Sequence, residues 1–152
     1  MTLENLIQIW APKLHITEGS GIVGAAILRA IAAVESSSGL RALASKHENA
    51  YCYGGRYHNE ALKVLSRTWG CSAHESWGPW QIMYITAVEH GYVGDPAFLR
   101  NAEMSIGHVI NVLNRRVMDK FADETPRDIF DAWNSGNPRD ANIPEEYIAK
   151  AT

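Results

Sequence analysis

No stretch of the chain approaches the ~20 consecutive apolar residues that a membrane-spanning helix requires. The amino-terminal run "MTLENLIQIWAPKLH" has no basic leading region and places Glu4 ahead of any adequate apolar core, so it does not read as a signal peptide. Cysteine is scarce: Cys52 and Cys71 are too few for a disulfide-stapled secreted scaffold. Positive charge is not in excess, with 14 Lys and Arg against 17 Asp and Glu and a net charge of −3. That balance argues against a nucleic-acid binder held by phosphate contacts, and it offers no strong attraction to anionic membranes or walls. Alternating apolar and polar runs are missing, as are repeats, low-complexity tracts and an interdomain linker. What remains is 152 residues, 46% hydrophobic and 20% charged, an ordinary globular mixture. The expectation is one all-α (mainly α) domain spanning residues 1–152, which buries enough surface to fold without staples.

Apolar periodicity supplies most of the expected helices. Leu3, Leu6, Ile7 and Trp10 follow the i, i+3, i+4, i+7 pattern of an amphipathic helix over residues 3–11. After a break at "EGSG", residues 22–35 read as a largely buried helix, with Gly39 as its stop. Between residues 40 and 77, "YCYGG" reads as a turn, "NEALKVLSRTW" as a short helix and "GCSAHES" as a loop. A further helix is expected from Pro79, because proline suits the first helical position, up to a stop at Gly91. "DPAFLRNAEMSIGHVINVLNRRVMDKF" reads as one long helix starting near Asp95–Pro96. "TPRDIFDAW" reads as another, with Thr125 as N-cap, and "IPEEYIAKA" as a last short one.

Within the 22–35 helix one residue stands out. At about 100° per residue, Glu35 lies about 40° from Ile31, between Gly24 at about 20° and Leu28 at about 60°, while Arg29 projects from the opposite side. A carboxylate therefore closes the apolar face in the final helical turn. Burial disfavours its charged form, and so does the negative end of the helix dipole. An acid kept protonated in this way can act as a proton donor. The plainer alternative is a partly exposed residue at a fraying helix end.

Three motifs follow one another: "ESSSG" from Glu35, "SWGPWQIM" at 76–83 and "DAWNSG" at 131–136. Together they resemble the soluble lytic transglycosylase family, which shares a lysozyme-like fold with goose-type lysozymes. Glu35 and Ser36 match the family's "ES" motif, Gly78 and Gln81 the ends of its "GLMQ"-like motif, and Ala132, Asn134 and Gly136 its "AYNAG" motif. Trp133 stands in place of the family tyrosine, and Tyr147 matches a tyrosine near the family's C-terminal end. Pro79 and Trp80 replace the usual Leu-Met pair, and residues 40–75 form a longer stretch than the family usually has.

The resemblance implies an enzyme that cleaves the glycan strands of peptidoglycan at the MurNAc-GlcNAc bond. Glycoside hydrolysis normally uses two carboxylates, yet "GPWQIM" supplies none. A transglycosylase works with one. Glu35 would protonate the glycosidic oxygen and then, as carboxylate, take a proton from the sugar's own C6 hydroxyl, closing a 1,6-anhydro ring; the nucleophile is intramolecular. Gly78, without a side chain, would let backbone and sugar approach closely, or would serve as an N-cap glycine. Gln81 offers an amide to N-acetyl or peptide groups. Trp133 would stack on a sugar ring or belong to the core. Asn134 would orient substrate or Glu35, or cap its turn, and Ser36 would bond substrate or its own helix end. Tyr147 completes the expected substrate-binding set. No metal or organic cofactor is implied, and the expected partner is the glycan strand alone, met by a monomer, with no nucleic acid and no membrane insertion.

Alternatives stay open. A hydrolytic goose-type lysozyme or chitinase-like enzyme would use water and a second acid such as Glu48 or Glu75, and a catalytically silent module would only bind walls. Cys52, His58, Cys71 and His74 raise a structural zinc site, a Cys52–Cys71 disulfide or two separate thiols. Tyr51, Tyr53, Trp69 and Trp77 would wall a glycan groove or form a small satellite core. Action on the periplasmic wall without a signal peptide points to phage-encoded release through holin lesions or to a virion-associated enzyme, with a bacterial enzyme trimmed of its signal as the other route.

Overall fold

Leu3, Leu6, Ile7 and Trp10 do form a helix, α1 (Leu3–Trp10), in the computed structural model, which describes residues 1–37, 46–47, 59–120 and 125–135. The Thr2 hydroxyl caps it, accepting from Asn5 N at 3.1 Å, and Leu6 and Ile7 are buried. A short 3-10 turn, Ala11–Lys13, leads away from its end. The next helix, α2 (Gly24–Ser36), sinks Ile27, Leu28, Ala30, Ile31 and Ala32 into the core. Its outer side carries Arg29, whose Nε lies 3.0 Å from each Glu4 oxygen. The Arg29 guanidinium holds the Glu4 carboxyl below the usual carboxylate range, but both groups are exposed and the pair adds little to stability. The stop expected at Gly39 comes earlier. Ser37 takes the left-handed conformation (φ 52°) and its N–H reaches the Ala32 carbonyl, while Gly39 lies outside the described residues.

Helix α3 (Glu60–Trp69) is capped by Asn59, which accepts from Leu62 N at 3.0 Å, and buries Leu62. The segment expected as a loop, "GCSAHES", instead forms a 3-10 turn, Gly70–His74, and enters a strand. A small antiparallel sheet, absent from the expectation, follows: β1 (Lys46–His47), β2 (Glu75–Trp77) and β3 (Ile82–Met83), in that spatial order. Ser76 stands opposite both Lys46 and Met83, and Trp77 opposite Ile82. Strands of two and three residues are too short for alternation to be visible in a sequence.

The helix expected from Pro79 starts later, as α4 (Tyr84–Glu89). "GPWQ" is the β-turn joining β2 to β3, closed by Gln81 N donating to the Gly78 carbonyl at 3.0 Å. Proline explains the displacement: its fixed φ suits the second position of a β-turn as well as the first of a helix. The single long helix from Asp95 is also divided. Pro96–Arg100 is a 3-10 turn, Asn101 breaks to an extended conformation and caps α5 (Ala102–Leu113), and Asn114–Met118 continues as a π-helical segment. Asn101 Oδ1 accepts from Glu103 N at 2.8 Å, so a short polar side chain competes with the helical ladder and resets it.

Helix α6 (Pro126–Ser135) forms as expected. Thr125 Oγ1 accepts from Asp128 N at 3.2 Å and Asp128 Oδ2 accepts from Thr125 N at 3.0 Å, a reciprocal capping arrangement. The core gathers Leu28 and Ile31 of α2, Trp80 of the turn, Ile106 and Val109 of α5 and Phe130 of α6, giving a mainly α fold. Among the described residues no helix is long and apolar enough to cross a membrane. The expected "IPEEYIAKA" helix lies outside the described residues.

Candidate functional site

The first and second motifs meet at the end of α2. Ser36 is 1% exposed, and its hydroxyl lies 2.6 Å from the Pro79 carbonyl and 3.0 Å from the Ala32 carbonyl. The Ser36 side chain thus ties the last turn of α2 to the β2–β3 turn, which leaves it placing that turn rather than facing a ligand. Trp80 makes a second tie: it is fully buried and its indole N–H donates to the Leu28 carbonyl at 3.0 Å. Glu35, the residue before Ser36, is half-buried in that final turn and engaged within the fold. Replacing Ser36 by Ala should leave the buried Pro79 carbonyl without this donor, at about 1–3 kcal/mol. Thermal denaturation checks this, and an unchanged midpoint would remove the tie from the account.

Gly78 has a different task from either expected one. Its φ is 79°, in the left-handed region, and a Cβ there would stand 2.4 Å from the Leu99 carbonyl oxygen and 3.3 Å from Ser105 Oγ. That space is filled from inside the protein, so the missing side chain serves packing of the turn on the 96–100 segment. Nor is Gly78 an N-cap, since no helix starts there.

Gln81 also sits at positive φ, 50°, at the end of the same turn and not on a helix face. One amide hydrogen goes to the Gly78 carbonyl at 2.8 Å, and Oε1 accepts from Ser76 Oγ at 3.0 Å. A side-chain amide has two donors and two acceptor sites. Those two bonds orient Gln81 and leave one of each.

The second and third motifs meet across a small depression of about 50 Å³, open to solvent and lined among the described residues by Gln81, Ile82, Met83, Thr86, Arg116 and Trp133. Trp133 is half-buried in α6, packed against the core on one side and lining this depression on another. Ligand pockets usually run to about 300–1,000 Å³, so this much smaller space has room for no more than one small group of a longer ligand. Glu35 is not among its lining residues; it lies at the end of α2, which Ser36 ties to the turn that carries Gln81.

Sequence reasoning did not select Met83, Thr86 or Arg116. A helix starting at Pro79 would carry Gln81, Met83 and Thr86 together, whereas Gln81 ends the turn, Met83 belongs to β3 and Thr86 to α4, and all three line the depression. Arg116 lay inside a supposedly continuous helix, where "NRR" gives no sign of which arginine turns inward. Asp131, beside Ala132 in the third motif, is a further unforeseen residue: its carboxyl is buried and engaged within the fold.

Other candidates separate from this site. Trp77 is buried, with its indole donating to the Ser72 carbonyl at 3.3 Å, and so acts as an interior residue, while Trp69 is half-buried against the core. Cys71 carries a free, exposed thiol, whereas His74 is buried with Nε2 2.6 Å from Ser66 Oγ. Among the described residues no three His, Cys, Asp or Glu side chains gather as a metal site. Glu75 is half-buried in β2. Asn134 lies in α6. Gly136, Tyr147, Cys52, His58, Glu48, Tyr51 and Tyr53 fall outside the described residues, as do the side-chain contacts of Asn134. Comparison of the chain with protein-family models, with curated proteins and with solved structures gave no match.

Proposed function

We propose that the chain is a lysozyme-like lytic transglycosylase of peptidoglycan, with Glu35 as its single general acid and base. The observation that carries this reading is the convergence of three motifs scattered over a hundred residues. Ser36 of the first bonds Pro79 of the second at 2.6 Å, and Gln81 of the second shares a depression with Trp133 of the third. Independent local patterns have no reason to converge.

Each residue then has a chemical part. Glu35 delivers its proton to the bridging glycosidic oxygen as the C1–O bond breaks. The resulting carboxylate takes the C6 hydroxyl proton as that oxygen bonds to C1, so the acid is restored and a 1,6-anhydro end is left. Gln81, with one donor and one acceptor still to offer, suits an N-acetyl group, and the Trp133 indole offers an apolar face to a sugar ring. Asn134 and Tyr147 join the substrate-binding set through the motif match. Ser36 and Gly78 act by fixing the α2 end and the turn. The enzyme would reach the wall as a phage endolysin or a virion-associated protein.

Mass analysis of wall digests tests the reaction type. Transglycosylation should leave sugar ends lighter by one water than hydrolysed ends. Recovery of reducing ends alone would replace this assignment with a hydrolase, for which Glu75 is the described candidate for a second acid.

A further inference from the structure

Among the described residues that line the depression, Arg116 alone is charged. It is there because of how α5 ends. The π-helical segment Asn114–Met118 closes with Asp119 N donating to the Asn114 carbonyl at 2.8 Å. Asn114 is buried and clamps the amino-terminal segment, its Oδ1 accepting from His15 N at 2.8 Å and its Nδ2 donating to the Lys13 carbonyl at 3.0 Å. Val117 and Met118 are buried beside it. With those three turned inward, Arg115 faces solvent and Arg116 comes to the margin, half-buried against the opening. π-type turns recur at functional sites because they re-aim side chains in this way.

The rest of the described lining is mixed: Trp133, Met83 and Ile82 are apolar, Thr86 and Gln81 polar. An arginine in a lining that is partly aromatic matches a carboxylate attached to an apolar or amide-bearing body. Arg116 already makes an interaction within the fold, and a guanidinium is a fork of five N–H donors that can serve more than one acceptor. The net charge of −3 adds a reason for a local device, since no long-range field draws an anionic wall to this chain.

We propose that this depression is a subsite for a carboxylate carried by the glycan substrate, with Arg116 as the residue that selects it. The inference rests on the glycan-cleaving reading. Two sources supply such a group in peptidoglycan: the free carboxylates of a peptide stem, and the lactyl carboxylate exposed when the stem is removed.

Titration calorimetry with the full chain carrying Glu35→Gln, which prevents turnover, distinguishes them. The probes are soluble glycan fragments bearing stems, the same fragments with their carboxylates amidated, and fragments stripped of stems. Amidation should weaken binding about ten- to a hundredfold, the range for hydrogen bonds to a charged group. Adding Arg116→Gln should weaken the unmodified fragment by the same factor and leave the amidated one unchanged, with Arg116→Lys intermediate because it keeps charge without the fork. Stripped fragments that bind as tightly as the stem-bearing ones show that the lactyl carboxylate serves the subsite as well; stripped fragments that bind like the amidated ones confine it to the stem.

Equal affinity for amidated and unmodified fragments overturns the subsite while leaving the glycan reading in place, and that comparison needs no Arg116 variant to fold. So does an Arg116→Gln protein that binds unmodified fragments undiminished. Failure to bind any of the three overturns both.

Discussion

Glu35→Gln is expected to abolish wall clearing while leaving the protein folded and able to bind glycan. The substitution keeps side-chain shape and removes only the capacity to give and regain a proton. General acid–base groups contribute about 10²–10⁴-fold, and a mechanism with one such group has no second carboxylate to share the loss. Glu35 occupies the half-buried final turn of α2, and Ser36 beside it anchors that turn to Pro79, so the variant retains its scaffold. Turbidity of purified walls, a pull-down on the same walls and a melting curve are the three measurements. Undiminished clearing by the variant would remove Glu35 from the chemistry. A wild type that binds walls yet clears none would make the chain a silent wall-binding module.

Gly78→Ala should produce the largest loss of stability among single-methyl changes at the site, and a companion substitution isolates its cause. Gly19 has φ 80° and nothing within 4 Å of a Cβ; Gly78 has φ 79° and the Leu99 carbonyl oxygen at 2.4 Å. The conformational penalty of alanine is therefore the same at both, about 1–2 kcal/mol. Only Gly78→Ala adds the steric term, about 1–3 kcal/mol for overpacking against backbone that cannot swing aside. For a chain of this size each kcal/mol moves the midpoint by about 2–4 °C. Gly19→Ala should then lower Tm by about 2–8 °C and Gly78→Ala by about 4–20 °C, with the second always lower when the two are melted together. Equal midpoints would show that the turn yields freely to the Leu99 carbonyl. Because Gln81 is held by the Gly78 carbonyl, clearing activity should also fall in Gly78→Ala at temperatures where the protein stays folded.

Arg29 and Glu35 show what one helix reveals unaided. Their angles about α2 place Arg29 outside and Glu35 on the apolar face; Arg29 is exposed against Glu4, and Glu35, in the last turn, is half-buried. The reciprocal bonds of Thr125 and Asp128 likewise follow from residues three apart. Pro79 shows the opposite case. Its fixed φ fits two local structures, and the pairing of Trp77 with Ile82 decides between them. Asn101 and Asn114 are polar residues inside an apolar period, and whether they end a helix, bend it or clamp another segment depends on what lies within reach. For Tyr147 and Asn134 only the motif match speaks.

The amino-acid sequence by itself determined the mainly helical class, the buried face of α2 with an acid in its last turn, and the cap of α6. Those depend on periodicity and on hydrogen bonds between near neighbours, whose energies are written locally. Tertiary structure alone decided that "GPWQ" turns a hairpin, that Ser36 grips it, and that Arg116 shares a depression with Gln81 and Trp133. Such contacts join residues tens of positions apart, and their energy exists only once the chain has closed on itself.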